Sequence, residues 1–319
     1  MEKSSCVVVI GGVNIDICGQ SFAPLIKKDS NPGFSRTSLG GVGRNIAHNL
    51  ALLDVPVCLL SAVGDDLHGN MVAERCNHFG IDFGHVRKVP DAHTSTYLFL
   101  NGPDGDMELA VSDMTICDSI TPEYLEENAG IIQNAAAVVV DTNIPEESVF
   151  WVTQNSTAPV FADPVSVTKA GKLRSCLGKI HTLKPNRLEA QYLSGVEIRD
   201  QNSLEYAAHK LLDTGLERVF ISMGGDGVYY ADHQVHGTSP VCKAQLVNAT
   251  GAGDAYMAGL VWAYLQEANT KESAVLACAA SAIAIEGSET INPLMSVNNL
   301  LQRTGDLAGD LVGKLENYI

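Results

Sequence analysis

The chain has 319 residues, 45% hydrophobic and 18% charged, which is enough to bury a large core and unlike a disordered or fibrous composition. Its 21 Lys and Arg against 37 Asp and Glu leave a net charge of −16, which repels nucleic-acid backbones and anionic membrane surfaces, so neither is expected as a partner. A small anionic ligand remains admissible, because helix N-termini and glycine turns create local positive potential in an acidic protein.

In chain order, residues 6–10 form a short apolar run that meets glycines at once, as a buried strand does and a signal-peptide core does not. The polar stretch 15–38 follows, then a helical pattern at 45–53, an apolar strand at 57–61 and a helical pattern at 67–79. Residues 95–100 and 107–112 alternate in polarity on either side of the turn Asn101-Gly102-Pro103-Asp104-Gly105-Asp106 and read as a hairpin. Beyond it, strands at 136–141, 160–163, 181–183 and 219–222 alternate with helices at 186–194 and 204–212, and a helical run covers 255–266. Most of these strands are too apolar for a half-exposed sheet. The expected fold is therefore α/β: a doubly wound three-layer α/β/α core of buried parallel strands, in one domain, with a small β lid from about 15–38 and 95–112. Ligands in such folds bind beyond the carboxyl ends of the strands, where the lid would cover them.

The eight cysteines show no metal or redox spacing and are expected to be reduced and mostly buried, and the nine histidines form no ligand-spaced cluster. No apolar stretch reaches membrane-span length, which leaves a cytoplasmic location as the expectation.

Two glycine-rich segments carry chemistry. In Asn248-Ala249-Thr250-Gly251-Ala252-Gly253-Asp254, the glycines at a helix start expose successive N–H groups that suit an anion. A carboxylate beside such a nest repels phosphate unless it accepts a proton from an attacking hydroxyl; a glycine turn with Asp254 as a helix cap is the other reading. In Gly40-Gly41-Val42-Gly43-Arg44-Asn45-Ile46-Ala47, the paired glycines permit close approach and Asn45 offers donor and acceptor to sugar hydroxyls, unless the segment is a plain strand-to-helix turn. It lacks the G-x-G-x-x-G spacing of a dinucleotide-binding fold.

Five motifs in order resemble the ribokinase-like PfkB carbohydrate kinases: Gly12-Val13-Asn14-Ile15-Asp16, the Gly40–Ala47 signature, Asn186-Arg187-Leu188-Glu189, Ser222-Met223-Gly224-Gly225-Asp226-Gly227, and Thr250-Gly251-Ala252-Gly253-Asp254. Within that family, Asp29-Ser30-Asn31-Pro32-Gly33, Asp163-Pro164-Val165-Ser166 and the run from His181 through Lys184 to Ala190 are most similar to pseudouridine kinases. The resemblance implies ATP and Mg²⁺, with Asp254 as catalytic base and N–H groups of Gly251, Ala252 and Gly253 holding developing charge. It implies Asn14, Asp16, Gly40, Gly41 and Asn45 on the ribosyl hydroxyls, with Ser30, Asn31, Thr96, Asp113, Asn143 and Lys169 as further substrate contacts. Asn186, Ser222, Gly224, Gly225, Gly227, Thr250, Gly251 and Gly253 fall on the nucleotide side, and Glu189 with Asn186 would organise Mg²⁺ through its waters. Many relatives open the last motif with Asp, which helps to form a monovalent-cation site; Asn248 stands here, so K⁺ activation is expected to be weak.

The leading expectation is a nucleoside 5′-kinase, most simply of pseudouridine, and the next a kinase of a free sugar such as ribose or fructose. A nucleotide-binding protein without catalysis is the alternative of another class, and an intact Asp254 argues against it. A homodimer through the lid is the expected self-association.

Overall fold

The computed structural model describes residues 6–304. Val7–Ile10 (β1) lies at the heart of the molecule because its side chains alternate between two cores: Val7 and Val9 enter one, Val8 and Ile10 the other. Asn14–Ser21 (β2) and Gly33–Gly40 (β3) leave the core, and Val42–Leu52 (α1) and Val57–Leu60 (β4) return to it. Ala62–Gly64 (β5) pairs with Arg87–Val89 (β6) around helix Leu67–His78 (α2). Thr96–Asn101 (β7) and Met107–Asp113 (β8) form the expected hairpin.

Thereafter come Pro122–Glu127 (α3), Ala129–Gln133 (α4), Ala137–Asp141 (β9), Glu146–Asn155 (α5), Val160–Asp163 (β10), Val167–Ala170 (α6) and Thr182–Leu183 (β11). Arg187–Ser194 (α7), Gln201–Leu212 (α8), Arg218–Ser222 (β12), Val228–Asp232 (β13) and His236–Ser239 (β14) follow, then Ala252–Leu265 (α9), Thr270–Ile285 (α10) and Val297–Thr304 (α11).

The large sheet has the order β14-β13-β12-β11-β10-β9-β1-β4, parallel from β12 to β4 and antiparallel at β13 and β14. Helices α1, α2, α9, α10 and α11 cover one face and α3, α4, α5, α7 and α8 the other, giving the expected three-layer α/β/α core. Several elements were not expected, α10 and the edge strands β13 and β14 among them. Helix α10 is nearly apolar all round, so it has no amphipathic stripe to read; its Ala277 packs so close to Gly259 of α9 that a Cβ there would lie 2.7 Å from the Ala277 Cα. The antiparallel edge strands β13 and β14 break the β-then-α alternation.

The lid is a separate four-stranded sheet, β3-β2-β7-β8, built from the two segments expected. Its register puts Asp16, Ser38, Tyr97 and Ser112 on one face and Ile15, Leu39, Thr96 and Asp113 on the other. Among the described residues no helix is long and apolar enough to cross a membrane. All eight cysteines are free thiols, seven of them buried.

Candidate active site

The floor of the site is one buried carboxylate, that of Asp141 at the end of β9. Its Oδ2 accepts the amides of Gly12 (2.9 Å) and Gly43 (2.8 Å), and its Oδ1 accepts the amide of Asn143 (2.8 Å). One side chain thus ties together the loop after β1, the start of α1 and the loop after β9. Burial pushes this carboxyl up, and the amide donors oppose the rise. Asp141 was not among the expected residues, because no local pattern distinguishes it from a strand-terminal acid.

Above that floor the first signature forms one wall. Gly41 has φ 95°, a backbone that disfavours a side chain, and a Cβ there would lie 2.4 Å from the Gly12 carbonyl oxygen. Gly40 leaves room for two neighbours: a Cβ would sit 2.5 Å from Asp16 Oδ2 and 2.7 Å from Asn14 Nδ2. Asn14 donates from Nδ2 to Asp16 Oδ1 at 2.6 Å, and burial still raises the Asp16 carboxyl, against that bond and the nearby Arg44. Arg44, itself buried, donates to the carbonyls of Gly40 (3.3 Å) and Leu39, and so pins the root of the lid to α1.

Asn45 joins the two signatures. Its Nδ2 donates to Asp254 Oδ2 at 2.7 Å across 209 residues of chain. Its Oδ1 is buried with no hydrogen-bond partner among the described residues. A buried acceptor left unpaired costs about 1–3 kcal/mol, so this atom is poised for a donor such as a substrate hydroxyl.

Asp254 lies in the first turn of α9, at the nest. Gly251, the residue before the helix, is left-handed (φ 84°), and a Cβ there would lie 2.3 Å from the Thr290 carbonyl oxygen, so both conformation and space require glycine. The Ala252 amide turns back to the Ala249 carbonyl at 3.3 Å, whereas no partner for the Gly251, Gly253 and Asp254 amides appears among the described residues. The open donors are therefore those of Gly251, Gly253 and Asp254, not the expected Gly251–Gly253 set, because the turn engages Ala252. Burial pushes the Asp254 carboxyl up to about 7, with Asp163 adding to the rise while Asn45, Lys184 and Arg44 oppose it.

Lys184 is a charged residue of the site that the sequence reading did not single out as a site residue. It is buried, lies 3.2 Å from Asp163 Oδ2, and would have its Nζ 3.2 Å from a Cβ placed on Gly253. Burial works against its charge, but Asp163, Asp254 and Glu189 more than offset this and hold its pKa above the usual lysine value. A permanent cation thus sits beneath the nest. In sequence it is one lysine in an ordinary strand-end segment, and only the fold collects the three acids around it.

On the nucleotide side, Asn186 and Glu189 form a reciprocal capping box: Asn186 Oδ1 accepts the Glu189 amide (2.9 Å) and Glu189 Oε2 accepts the Asn186 amide (2.8 Å). Glu189 is buried here, and its Oε2 is engaged by the Asn186 amide. Asn186 bridges to Ser222 in the sheet, next to the turn in which Gly224 and Gly227 have φ 61° and 90°; nothing lies within 4 Å of a Cβ on Gly224 or Gly225. Thr250 is exposed, and its amide donates to Asn248 Oδ1 at 2.9 Å.

The remaining expected contacts are scattered. Lys169 Nζ donates to Asn143 Oδ1 at 2.5 Å, beside Gly12, which places that pair at the site. Thr96 and Asp113 lie on the lid face opposite Asp16, and Asp113 accepts from Thr115. Ser30 is exposed and Asn31 half-buried in the loop beyond the Ser21–Gly33 pair, which lies seven residues along β2 from Asn14, about 23 Å at about 3.3 Å per residue. Both ends of the Asn31 amide are engaged within that loop, with the Ile26 amide and with the carbonyls of Ile26 and Asp29. Among the described residues neither makes a hydrogen bond to the Asn45–Asp254 pair.

A family model for pfkB family carbohydrate kinases matches residues 5–297. The chain belongs to this family. It is 43% identical over 303 residues to the pseudouridine kinase of Escherichia coli (strain K12), covering 94% of this chain and 97% of that protein. It is 36% identical over 304 residues to the uncharacterized sugar kinase YeiI of the same organism, covering 94% of this chain and 83% of that protein. Its fold matches that of Arabidopsis thaliana ribokinase, solved with ribose and ATP, with a TM-score of 0.83 at 23% identity over 94% of this chain and 98% of that one. The chain is accordingly a phosphotransferase acting on a hydroxyl group, a PfkB kinase of the nucleoside and sugar class.

Proposed function

We propose that this kinase transfers the γ-phosphate of ATP to the 5′-hydroxyl of pseudouridine, giving pseudouridine 5′-phosphate. The observation that carries the reading is the Asn45–Asp254 pair beneath the nest: a carboxylate with a pKa near the working pH, oriented by an amide whose other end awaits a donor. Asp254 Oδ1 or Oδ2 takes the hydroxyl proton as that oxygen attacks the γ-phosphorus. The bond to the β-phosphate bridging oxygen breaks, and charge gathers on the transferring oxygens and the ADP leaving group. The Gly251, Gly253 and Asp254 amides and Lys184 face that charge.

Asn14, Asp16 and Asn45 hold the ribosyl hydroxyls, with Gly40 and Gly41 allowing the approach. Asp16 shares its lid face with Tyr97, whose ring lies 5.5 Å from that of Phe99. These two rings offer the base a surface to lie on. Asn143 and Lys169 border the same space, while Ser30, Asn31, Thr96 and Asp113 take part only through lid movement. The purine nucleotide lies toward Ser222, Gly224, Gly225, Gly227 and Thr250. Glu189 and Asn186, whose capping oxygens Oε2 and Oδ1 are engaged with each other's amides, would hold the waters of a bound Mg²⁺, which would supply neutralisation of phosphate charge. Asn248 Oδ1 already accepts the Thr250 amide, which supports weak K⁺ dependence.

Core and lid act as one kinase unit. With the lid rooted by Arg44 and otherwise open, saturating pseudouridine should slow backbone hydrogen exchange in β2–β3 and β7–β8 together. Unchanged exchange in both hairpins would refute closure. The lid face bearing Leu98, Leu109 and Val111, each at least 40% exposed, is assigned to a second copy of the chain. Sedimentation should then give a dimer that Val111→Lys converts to monomer, and a monomeric wild type would remove this assignment. Eight free thiols support a reducing compartment, the cytoplasm. The experiment that tests the function itself is a kinase assay with ATP across a panel of nucleosides and sugars: pseudouridine should lead, and activity on sugars alone would overturn the reading.

A further inference from the structure

Away from the kinase site, at the outer edge of the large sheet, Cys58 meets Asp82 and His85, a pair three positions apart that lies more than 20 residues further along the chain. The ligand atoms of Cys58, Asp82 and His85 all lie within 4.8 Å of one another. Cys58 is on β4, and Asp82 is locked beside it by a parallel bridge in which the Asp82 amide donates to the Val57 carbonyl (2.9 Å) and its carbonyl accepts the Leu59 amide (3.0 Å). Asp82 Oδ1 accepts the Gly84 amide at 2.9 Å, shaping the turn that brings His85 back toward the sheet and leaving Oδ2 to bind elsewhere.

The histidine tautomer follows from its neighbours. Asn128 donates from Nδ2 to the Tyr124 carbonyl at 2.8 Å, so its Oδ1 is the end facing His85, and Oδ1 only accepts. His85 Nδ1, 2.8 Å away, must then carry the proton and donate, which leaves Nε2 as the ring nitrogen free to bind a metal. Tyr124 fixes the same residue from behind, donating its hydroxyl to the His85 carbonyl at 2.6 Å. An amide that holds one ring nitrogen so that the other can coordinate is the usual support of a histidine ligand.

We propose that Cys58, Asp82 and His85 form a divalent metal site with thiolate, carboxylate and imidazole ligands, suited to Zn²⁺ and completed by water. A tetrahedral zinc ion with such bonds spaces its ligands at about 3.3–3.8 Å, so the cluster needs to contract by about 1 Å, which side-chain rotation of half-buried His85 and exposed Asp82 provides. The mixed sulfur, nitrogen and oxygen set disfavours Mg²⁺ and separates this site from the oxygen-only side of the kinase centre. Binding releases the Cys58 thiol proton to solvent, and no other bond is made or broken.

The test is titration of the chelator-treated full chain with Co²⁺. One equivalent should produce thiolate-to-cobalt charge transfer in the near ultraviolet and tetrahedral d–d bands in the visible, and Zn²⁺ should displace both. Cys58→Ser should abolish the charge-transfer band, His85→Ala should abolish stoichiometric binding, and Asn128→Ala should weaken binding about 10-fold or more while leaving the charge-transfer band at saturation. Asp254→Asn, at the kinase centre, should bind Co²⁺ as the wild type does. Circular dichroism confirms that each variant is folded, and the Asn128 variant keeps all three ligands if the Cys58 one does not fold. No uptake by the wild type, cobalt spectra without a thiolate band, or affinity unchanged in the His85 and Asn128 variants would each overturn the site.

Discussion

Asp254→Asn is expected to lower turnover by about 10²–10⁴ while ATP binding persists, because the amide keeps the shape of the carboxylate and its contact with Asn45 but accepts no proton. The pH dependence identifies the cause. Burial and Asp163 push the Asp254 carboxyl up to about 7, and only the ionised form is a base, so wild-type kcat/KM should fall about tenfold per unit below about pH 7. The variant should lack this limb. Stability should move the other way. A carboxyl whose folded pKa is raised favours the folded state at low pH, and that contribution is lost as pH rises through about 7. The uncharged variant should therefore melt higher than wild type at pH 8 and show no such advantage at pH 4. Near-normal turnover in the variant, or survival of the acidic limb, would assign the base to another group.

Pseudouridine is expected to be phosphorylated with a kcat/KM at least about 100-fold above that for ribose or fructose. Hydrogen-bonding and stacking groups that receive a nucleobase are left unpaired or wet when a free sugar binds, and such losses reach 10⁴ or more in specificity. The lid register divides the roles. In the proposed reading Asp16 holds the ribosyl hydroxyls that ribose and the nucleosides share, so Asp16→Ala should weaken ribose and nucleosides alike. Tyr97 shares that face one strand further out and stands against Phe99, so Tyr97→Ala should narrow the gap by lowering the nucleoside rate alone, by about 10-fold. Comparable kcat/KM for ribose and pseudouridine would remove the nucleoside assignment and leave the kinase standing. Equal loss on both substrates in the Tyr97 variant would place that ring in the architecture of the lid and not in base recognition.

Legibility in the sequence followed the range of the interactions. Apolar strands such as β1 and β9, the two signatures and the two lid segments announce themselves because their chemistry is local: alternating burial, paired glycines, a turn of Gly, Pro and Asp. Asp141, Lys184 and the partnerless Asn45 Oδ1 do not, since each owes its role to neighbours 98 or more residues away or to chains of charge that only the fold assembles. The capping box at α7 shows a motif doing two jobs. Asn186 and Glu189 carry the family pattern, yet their measurable bonds are to each other's amides. Ser30 and Asn31 mark the reverse case, where family-like wording sits at a lid tip distant from Asp254. Cys58 was not legible as a partner of the neighbouring Asp82 and His85, because the bridge between β4 and Asp82, not sequence proximity, brings it to them.

The most direct test is a single-turnover reaction of excess enzyme with γ-labelled ATP, Mg²⁺ and pseudouridine, followed by identification of the labelled atom. Label on the 5′-oxygen of the nucleoside, formed by the wild type and not by Asp254→Asn, is the predicted result. Label appearing only as inorganic phosphate, or on a nucleoside hydroxyl at the same rate in both proteins, would contradict the account.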